Sequence, residues 1–419
     1  MKRRSGLCLF LLLAGALVAA QQKKITLEDI WGGAFRTEGL EVLRSMKDGQ
    51  HYTVLQTDQA GERSSIDKFE YQTRQKVGTL VENDPAKGIP YFSSYAFSDD
   101  ESKVLLATEV EAIYRRSRLG IYYVYDLAGG GLKQISGNKI QEPTLSPQGD
   151  RVAYVYENNL YVLDLGSDRL SQITSDGRRN AIINGVTDWV YEEEFSFVRA
   201  FQWNATGSKI AFLRFDESAV PEFSMDIYGD GLYPFPATFK YPKAGEDNAQ
   251  VSLHLYDLAT GQTRQVPMGD PYYLPRIKWM HHPDHLSVQA LNRHQDSLTL
   301  YQVDASDLQV RVLLTETDAA YVDVTDNLTF LPDDRFIWTS EKDGYNHVYL
   351  HAADGRQLRQ LTSGPWEVTD YYGYDPNSKR IYYQSTEEGS ILRDVYSITE
   401  RGRGKKRLSA GTGTHRASF

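Results

Sequence analysis

Twelve consecutive residues stand out for their chemistry: Asn184-Gly185-Val186-Thr187-Asp188-Trp189-Val190-Tyr191-Glu192-Glu193-Glu194-Phe195. Asp188 is of the residue type that caps a helix N-terminus, and acidic residues soon after a helix start suit the macrodipole. Two readings fit the run. It is either a short surface helix with a solvated acidic face, or a carboxylate cluster that holds a cation. In the second case Trp189, Val190, Tyr191 and Phe195 frame the group and partly desolvate it, which strengthens its attraction for an amine.

Other chemistry is sparse. The sequence has no G-x-S-x-G nucleophile elbow, no H-E-x-x-H, no P-loop and no dinucleotide-binding glycine fingerprint. Its serines, histidines and aspartates are not tied into a triad by any local pattern. His281-His282-Pro283-Asp284-His285 has metal-ligand residue types, but it falls on a repeated turn and reads better as a solvated hairpin. No catalytic residue, metal site or cofactor is therefore assigned.

The elements that must position the acidic run are strands. From about residue 41 a unit recurs: an apolar strand, a polar turn, a second strand, an aromatic strand ending near Asp, and a strand ending Ile/Leu-Thr/Ser. The turn recurs at Lys47-Asp48-Gly49, Ser98-Asp99-Asp100, Ser146–Gly149, Asn204–Gly207, His282–Asp284, Pro332–Asp334 and Asp375–Asn377. The third strand shows in YYVYDL (122–127), LYVLDL (160–165), LHLYDL (253–258) and LTLYQV (298–303), the fourth in LKQIS (132–136), LSQIT (170–174) and LRQLT (358–362). Most turns lie about 43 to 58 residues apart, near the ~40–50 of four-stranded propeller blades. The expected fold is all-β: a β-propeller with seven visible blades, residues 411–419 opening an eighth, and a short helical insertion around 188–199 carrying the Glu pair. An irregular β-sandwich array is the alternative. One interval is longer, about 78 residues, and its residues 221–248 read as an extended arm, because Pro and Gly deny it a regular central strand.

Composition sets the remaining bounds. The 419 residues are 41% hydrophobic and 24% charged, as in a folded globular chain. The net charge of −10 argues against a general nucleic-acid binder, which needs a basic footprint. Lys2, Arg3 and Arg4 precede the nearly unbroken apolar run Leu7–Ala20, and Val18-Ala19-Ala20 has the spacing of a signal-peptidase site. That run is short of the ~20 residues that span a bilayer, so residues 1–20 read as a signal peptide, with a signal anchor as the alternative. The single cysteine, Cys8, lies within it, and cleavage leaves a mature chain without thiols. The domain reading is thus 1–20 signal, 21–40 lead-in and 41–419 propeller, in an exported protein with no membrane span after cleavage.

NGVTDWVYEEEF resembles the signature segment of the dipeptidyl peptidase IV family of serine peptidases, with its paired glutamates. The similarity continues through residues 201–223, YPKAG (241–245), SEKDGYNHVYL (340–350) and TSGPWEV (362–368). The resemblance implies an eight-bladed N-terminal propeller followed by an α/β-hydrolase domain, and release of X-Pro or X-Ala dipeptides from peptide N-termini. It carries Glu193 and Glu194 over as the pair that binds the substrate's amino terminus. Tyr114-Arg115-Arg116-Ser117 resembles the loop whose arginine, here Arg115, contacts the substrate carbonyl; the other reading of Arg115 is a loop ion pair. The 221–248 arm resembles a segment that helps family members form homodimers. GTHRASF (413–419) resembles the start of the last blade, and the hydrolase domain has no counterpart in the string. The expectation is the recognition propeller of a longer peptidase, inactive by itself; the alternatives are a non-catalytic exported propeller that binds peptide N-termini and a protein-interaction scaffold.

Overall fold

In a computed structural model, which describes residues 24–37, 39, 41–58 and 60–419, the Asp that closes each aromatic strand caps a turn. Asp126 Oδ1 accepts the backbone N–H groups of Ala128 (2.9 Å) and Gly129 (2.7 Å). Asp164 does the same for Gly166 and Ser167, and Asp257 for Ala259 and Thr260. These donors hold all three carboxyls below their usual range. The Asp thus satisfies backbone groups that the sheet leaves free where the third strand turns into the fourth. The signal peptide and Cys8 lie outside the described residues.

The described residues up to Val42 and those from Leu43 to Phe419 fall into two compact units. In the first, helix Leu27–Trp31 starts at a capping box in which Thr26 and Asp29 satisfy each other's backbone N–H groups.

The second unit is a propeller of seven four-stranded antiparallel blades. Blade one is Leu43–Ser45, His51–Thr57, Ser64–Glu70 and Lys76–Glu82; blade two is Ser94–Phe97, Lys103–Ala112, Arg118–Asp126 and Leu132–Gln134. Blade three runs from Gln141–Leu145 to Leu170–Gln172, blade five from Tyr273–Trp279 to Val310–Thr317, blade six from Thr329–Phe330 to Gln357–Gln360, and blade seven from Val368–Asp375 to Lys406–Arg407. The fourth strands are mostly exposed and form the outer edge. Each blade buries its faces against its neighbours. Ile66 and Val81 of blade one pack with Val104 and Leu106 of blade two, and Ile337 and Val348 of blade six pack with Ile381 and Tyr383 of blade seven.

Blade four departs from the pattern. Two half-strands, Ile182–Asn184 and Phe201–Trp203, both pair with Lys209–Asp216, at residues 214–216 and 210–212 respectively. Between them the chain leaves the sheet and returns, zipped at the neck by Thr187 N–H to Val198 O (3.0 Å) and Ala200 N–H to Gly185 O (2.9 Å). The acidic run lies in this excursion. Its helix is shorter than expected, Trp189–Glu194, because Ser196 takes a left-handed φ of +61° that ends the helical path.

One further expectation differs from the structure. Residues 411–419 form no strand; Thr414 makes one parallel bridge to Arg393, and Phe419 packs on Tyr372 and Tyr382. An opening strand needs a second strand beside it, and none is present among the described residues. The arm is extended, as read, and lies outside the blade sheets. Glu222–Ile227 and Phe235–Lys240 form a two-stranded hairpin, in which both strands are edges and Pro236 is tolerated.

Blades five and six touch backbone to backbone at Gly355, where φ is +94° and a Cβ would fall 1.7 Å from the Leu313 carbonyl oxygen. Gly355→Ala should therefore cost about 2–5 kcal/mol of stability from backbone strain and overpacking. Urea unfolding of the two proteins checks this; a difference below about 1 kcal/mol would contradict so close a contact.

Candidate functional site

Asp188 caps the excursion's helix by accepting the Tyr191 N–H at 3.0 Å. The next residues fan out around the axis, as 100° steps require, and each meets a different neighbour. Tyr191 is fully buried; its ring packs on Phe195 and Phe215, and its hydroxyl accepts the Leu274 N–H of blade five at 2.9 Å. Glu192 is 2% exposed. Its Oε1 accepts the backbone N–H groups of Arg116 (2.6 Å) and Ser117 (2.9 Å), in the loop between the second and third strands of blade two. Arg116 answers by donating to the Glu192 carbonyl (3.2 Å) and to Ser196 Oγ (2.9 Å). A carboxylate accepting two N–H groups satisfies donors that a tight loop cannot pair internally.

Glu193 is half-buried and Glu194 exposed. Arg115 Nε donates to Glu193 Oε2 at 2.9 Å, and this bond holds the guanidinium's pKa above its usual value. The structure thus joins Arg115 and Glu193 in an ion pair, which is the loop ion-pair reading of Arg115, with Glu194 next along the helix. With Arg115 on Glu193, the trio of Arg115, Glu193 and Glu194 carries one net negative charge. The base of the arm is part of the frame, with Trp189 4.5 Å from Tyr241 and Tyr114 6.1 Å from Phe239 between ring centroids.

Neither reading of the acidic run singled out Glu192, which is the most buried of the three glutamates. Its signal was faint: an acidic residue directly after a buried-type Tyr, on a helix too short for periodicity to show. Glu217, also missed, sits 6% exposed. Its pKa is pushed up to about 7 by burial and then by the charge of Asp188, with Lys240 opposing. Burial alone pushes Asp188 up to about 6 against its capping hydrogen bond. Elsewhere, His282 and His285 stack at 4.1 Å in a hairpin turn; among the described residues no three His, Cys, Asp or Glu side chains are grouped to hold a metal. No helix of the described residues is long and apolar enough to cross a membrane.

The family model described as "Dipeptidyl peptidase IV (DPP IV) N-terminal region" matches residues 98–419. The chain belongs to the dipeptidyl peptidase IV family. It is 39% identical to the chain in a crystal structure of Porphyromonas gingivalis dipeptidyl peptidase 4, with a TM-score of 0.86, covering 94% of this chain and 56% of that one. It is 30% identical to a probable dipeptidyl-aminopeptidase B of Pyrenophora teres f. teres over 95% of this chain and 49% of the relative. A probable dipeptidyl peptidase 4 of Aspergillus clavatus is 32% identical over 77% of this chain and 44% of that protein. The chain spans about half the length of the curated relatives it matches.

Two outcomes follow from the buried carboxylates. Glu192→Ala leaves two N–H groups without their acceptor, at about 1–3 kcal/mol each, so unfolding free energy should drop by about 2–5 kcal/mol; Glu192→Gln keeps an acceptor oxygen and should recover most of it. Equal stability of Ala and Gln variants would contradict the tether. Glu217 and Asp188 both titrate above the unfolded-chain values of about 4.3 and 3.9. The fold therefore favours their protonated forms, and that stabilisation is complete below about pH 4 and lost as pH rises through about 6 and 7. Glu217→Gln should accordingly leave stability nearly unchanged at about pH 4.5 and raise it by about 3 kcal/mol at pH 8. Thermal melts across that range would show a pH-independent difference if Glu217 were solvated.

Proposed function

We propose that this propeller is the substrate-recognising part of an exported serine dipeptidyl peptidase that releases X-Pro or X-Ala dipeptides from peptide N-termini. Glu193 and Glu194 bind the substrate's protonated amino terminus, and Arg115 donates to the first carbonyl. The observation that carries the reading is the tethered trio: Glu192 and Arg116 lock the Arg115 loop to the helix, and Arg115 meets Glu193 at 2.9 Å. Family membership supports the reaction class. An ammonium offers one charge and three donors, so the site accepts a free terminus and rejects an acylated one.

The partner reading extends to the arm. Leu232, Tyr233 and Tyr228 lie at or near the hairpin tip and are strongly exposed, and we propose that they contribute to a homodimer contact.

The trio is solvent-facing in this chain, so its hold on an ammonium is weak until a second domain covers it and removes water. The test belongs in a protein that carries this propeller together with its hydrolase domain. There, removing one partner of a desolvated ion pair costs about 3–5 kcal/mol, so Glu193→Gln and Glu194→Gln should each lower kcat/KM by about two to four decades. A folded variant that keeps kcat/KM within about threefold of the parent removes that residue from the amine clamp.

A further inference from the structure

An antiparallel blade places its first and third turns, between strands one and two and between strands three and four, at the same end. At that end charged side chains cross from one blade to the next. Lys133 of blade two donates to the Leu165 carbonyl of blade three and pairs with Asp168. Arg264 of blade four donates to the Ala305 and Ser306 carbonyls of blade five, at 2.6 and 3.1 Å. Arg311 of blade five donates to the Ala353 carbonyl of blade six at 3.3 Å. Elsewhere the crossing residue comes from the first turn: Lys47 donates to the Asp99 carbonyl of blade two, and Arg335 of blade six to Glu400 of blade seven at 3.3 Å.

Lys133, Arg264 and Arg311 share one register position on the fourth strand. Each lies opposite the residue two before the closing Asp: Val124, Leu255 and Gln302 respectively. In blade three that position is Ser171, opposite Val162. A serine side chain ends one atom beyond Cβ and cannot cross to blade four. A cavity of about 220 Å³ lies there instead, with Val162 and Ser171 on one side and Tyr256 and Leu258 on the other. Arg151 also borders it but pairs within blade three, with Asp150 and Asp164 at 3.6 and 3.5 Å. Between the first turns of blades three and four the crossing bond is neutral, from Gln148 Nε2 to the Ala205 carbonyl at 3.2 Å.

The same joint is firmly held elsewhere. In its middle Val155 and Leu160 of blade three share one apolar cluster with Phe201 and Phe212 of blade four. At the opposite end Glu192 of the blade-four excursion accepts the Arg116 and Ser117 N–H groups of blade two, and Arg115 meets Glu193. These contacts span blade three. Blade two is clasped to blade three by Lys133, and blade four to blade five by Arg264. Movement of one pair of blades against the other therefore finds slack at the turn end and restraint at the acidic helix.

We propose that the joint between blades three and four is the flexing joint of the ring, open at the turn end because Ser171 stands where its neighbours carry a clasp, and that its flexing is felt at the other end as strain on the tether between Glu192 and the Arg115 loop. The joint thereby sets how firmly blade two presents Arg115 to Glu193, whatever the trio binds.

Hydrogen exchange on the 419-residue chain tests this, because exchange reads local opening. Ser171→Lys restores the clasp at a half-buried position. It should slow exchange about threefold over residues 168–174 and 256–262, the scale of one exposed ion pair, and measurably over 114–118 at the far end of the blades. Ser171→Arg, with the residue that blades four and five use, should act alike and serves if the lysine variant misfolds. Lys133→Ser makes the reverse change at the neighbouring joint and should speed exchange over 131–136 and 165–169 by about the same factor. An unchanged rate at either joint overturns the proposal, because the clasp then contributes nothing. Slower exchange at the turn end with no change over 114–118 overturns it too, since the joint would then be loose without reaching the tether.

Discussion

A blade of four strands has two apolar faces and cannot bury either by itself, so every blade in this chain depends on the next. That dependence makes the break in blade four informative. Its first strand is split into Ile182–Asn184 and Phe201–Trp203, and both halves remain paired to the continuous strand Lys209–Asp216. The sheet therefore keeps its core contacts while sixteen residues, 185–200, leave it. An excursion anchored this way needs no independent core. It draws on its neighbours instead: Tyr191 on blade five through Leu274, and Glu192 on blade two through Arg116 and Ser117.

The electrostatics of the site follow from how unevenly its carboxylates are buried. Glu192 is deep but doubly hydrogen-bonded, Glu193 has a guanidinium, and Glu194 faces solvent. Asp188 and Glu217 have fewer compensating partners, and burial drives both upward. The charge of Asp188 adds to the cost of ionising Glu217, so the two are costly to keep ionised together at neutral pH.

Much of the architecture was legible in the chain because propeller blades are locally encoded. The YYVYDL, LYVLDL, LHLYDL and LTLYQV segments are all third strands, as read, and the turns at Asp48, Asp99, Gly149 and Asn204 all join first to second strands. Each signal involves residues only a few positions apart: alternation along a strand, and an Asp reaching N–H groups two and three residues on. Asp188 as a helix cap belongs to the same class. The hairpin form of the arm did not, since Pro and Gly mark edges without saying whether two edges will pair.

What the sequence by itself determined was the period, the strand types, the position of the acidic run and its likeness to a peptidase family. The tertiary structure alone decided which glutamate is buried, that Arg115 reaches Glu193 across 78 residues of sequence, and that Glu217 lies within reach of the charge on Asp188. It also decided that residues 411–419 form no strand. The reason is physical. Hydrogen bonding within a turn depends on local spacing, whereas burial and charge pairing depend on which blades the ring sets side by side.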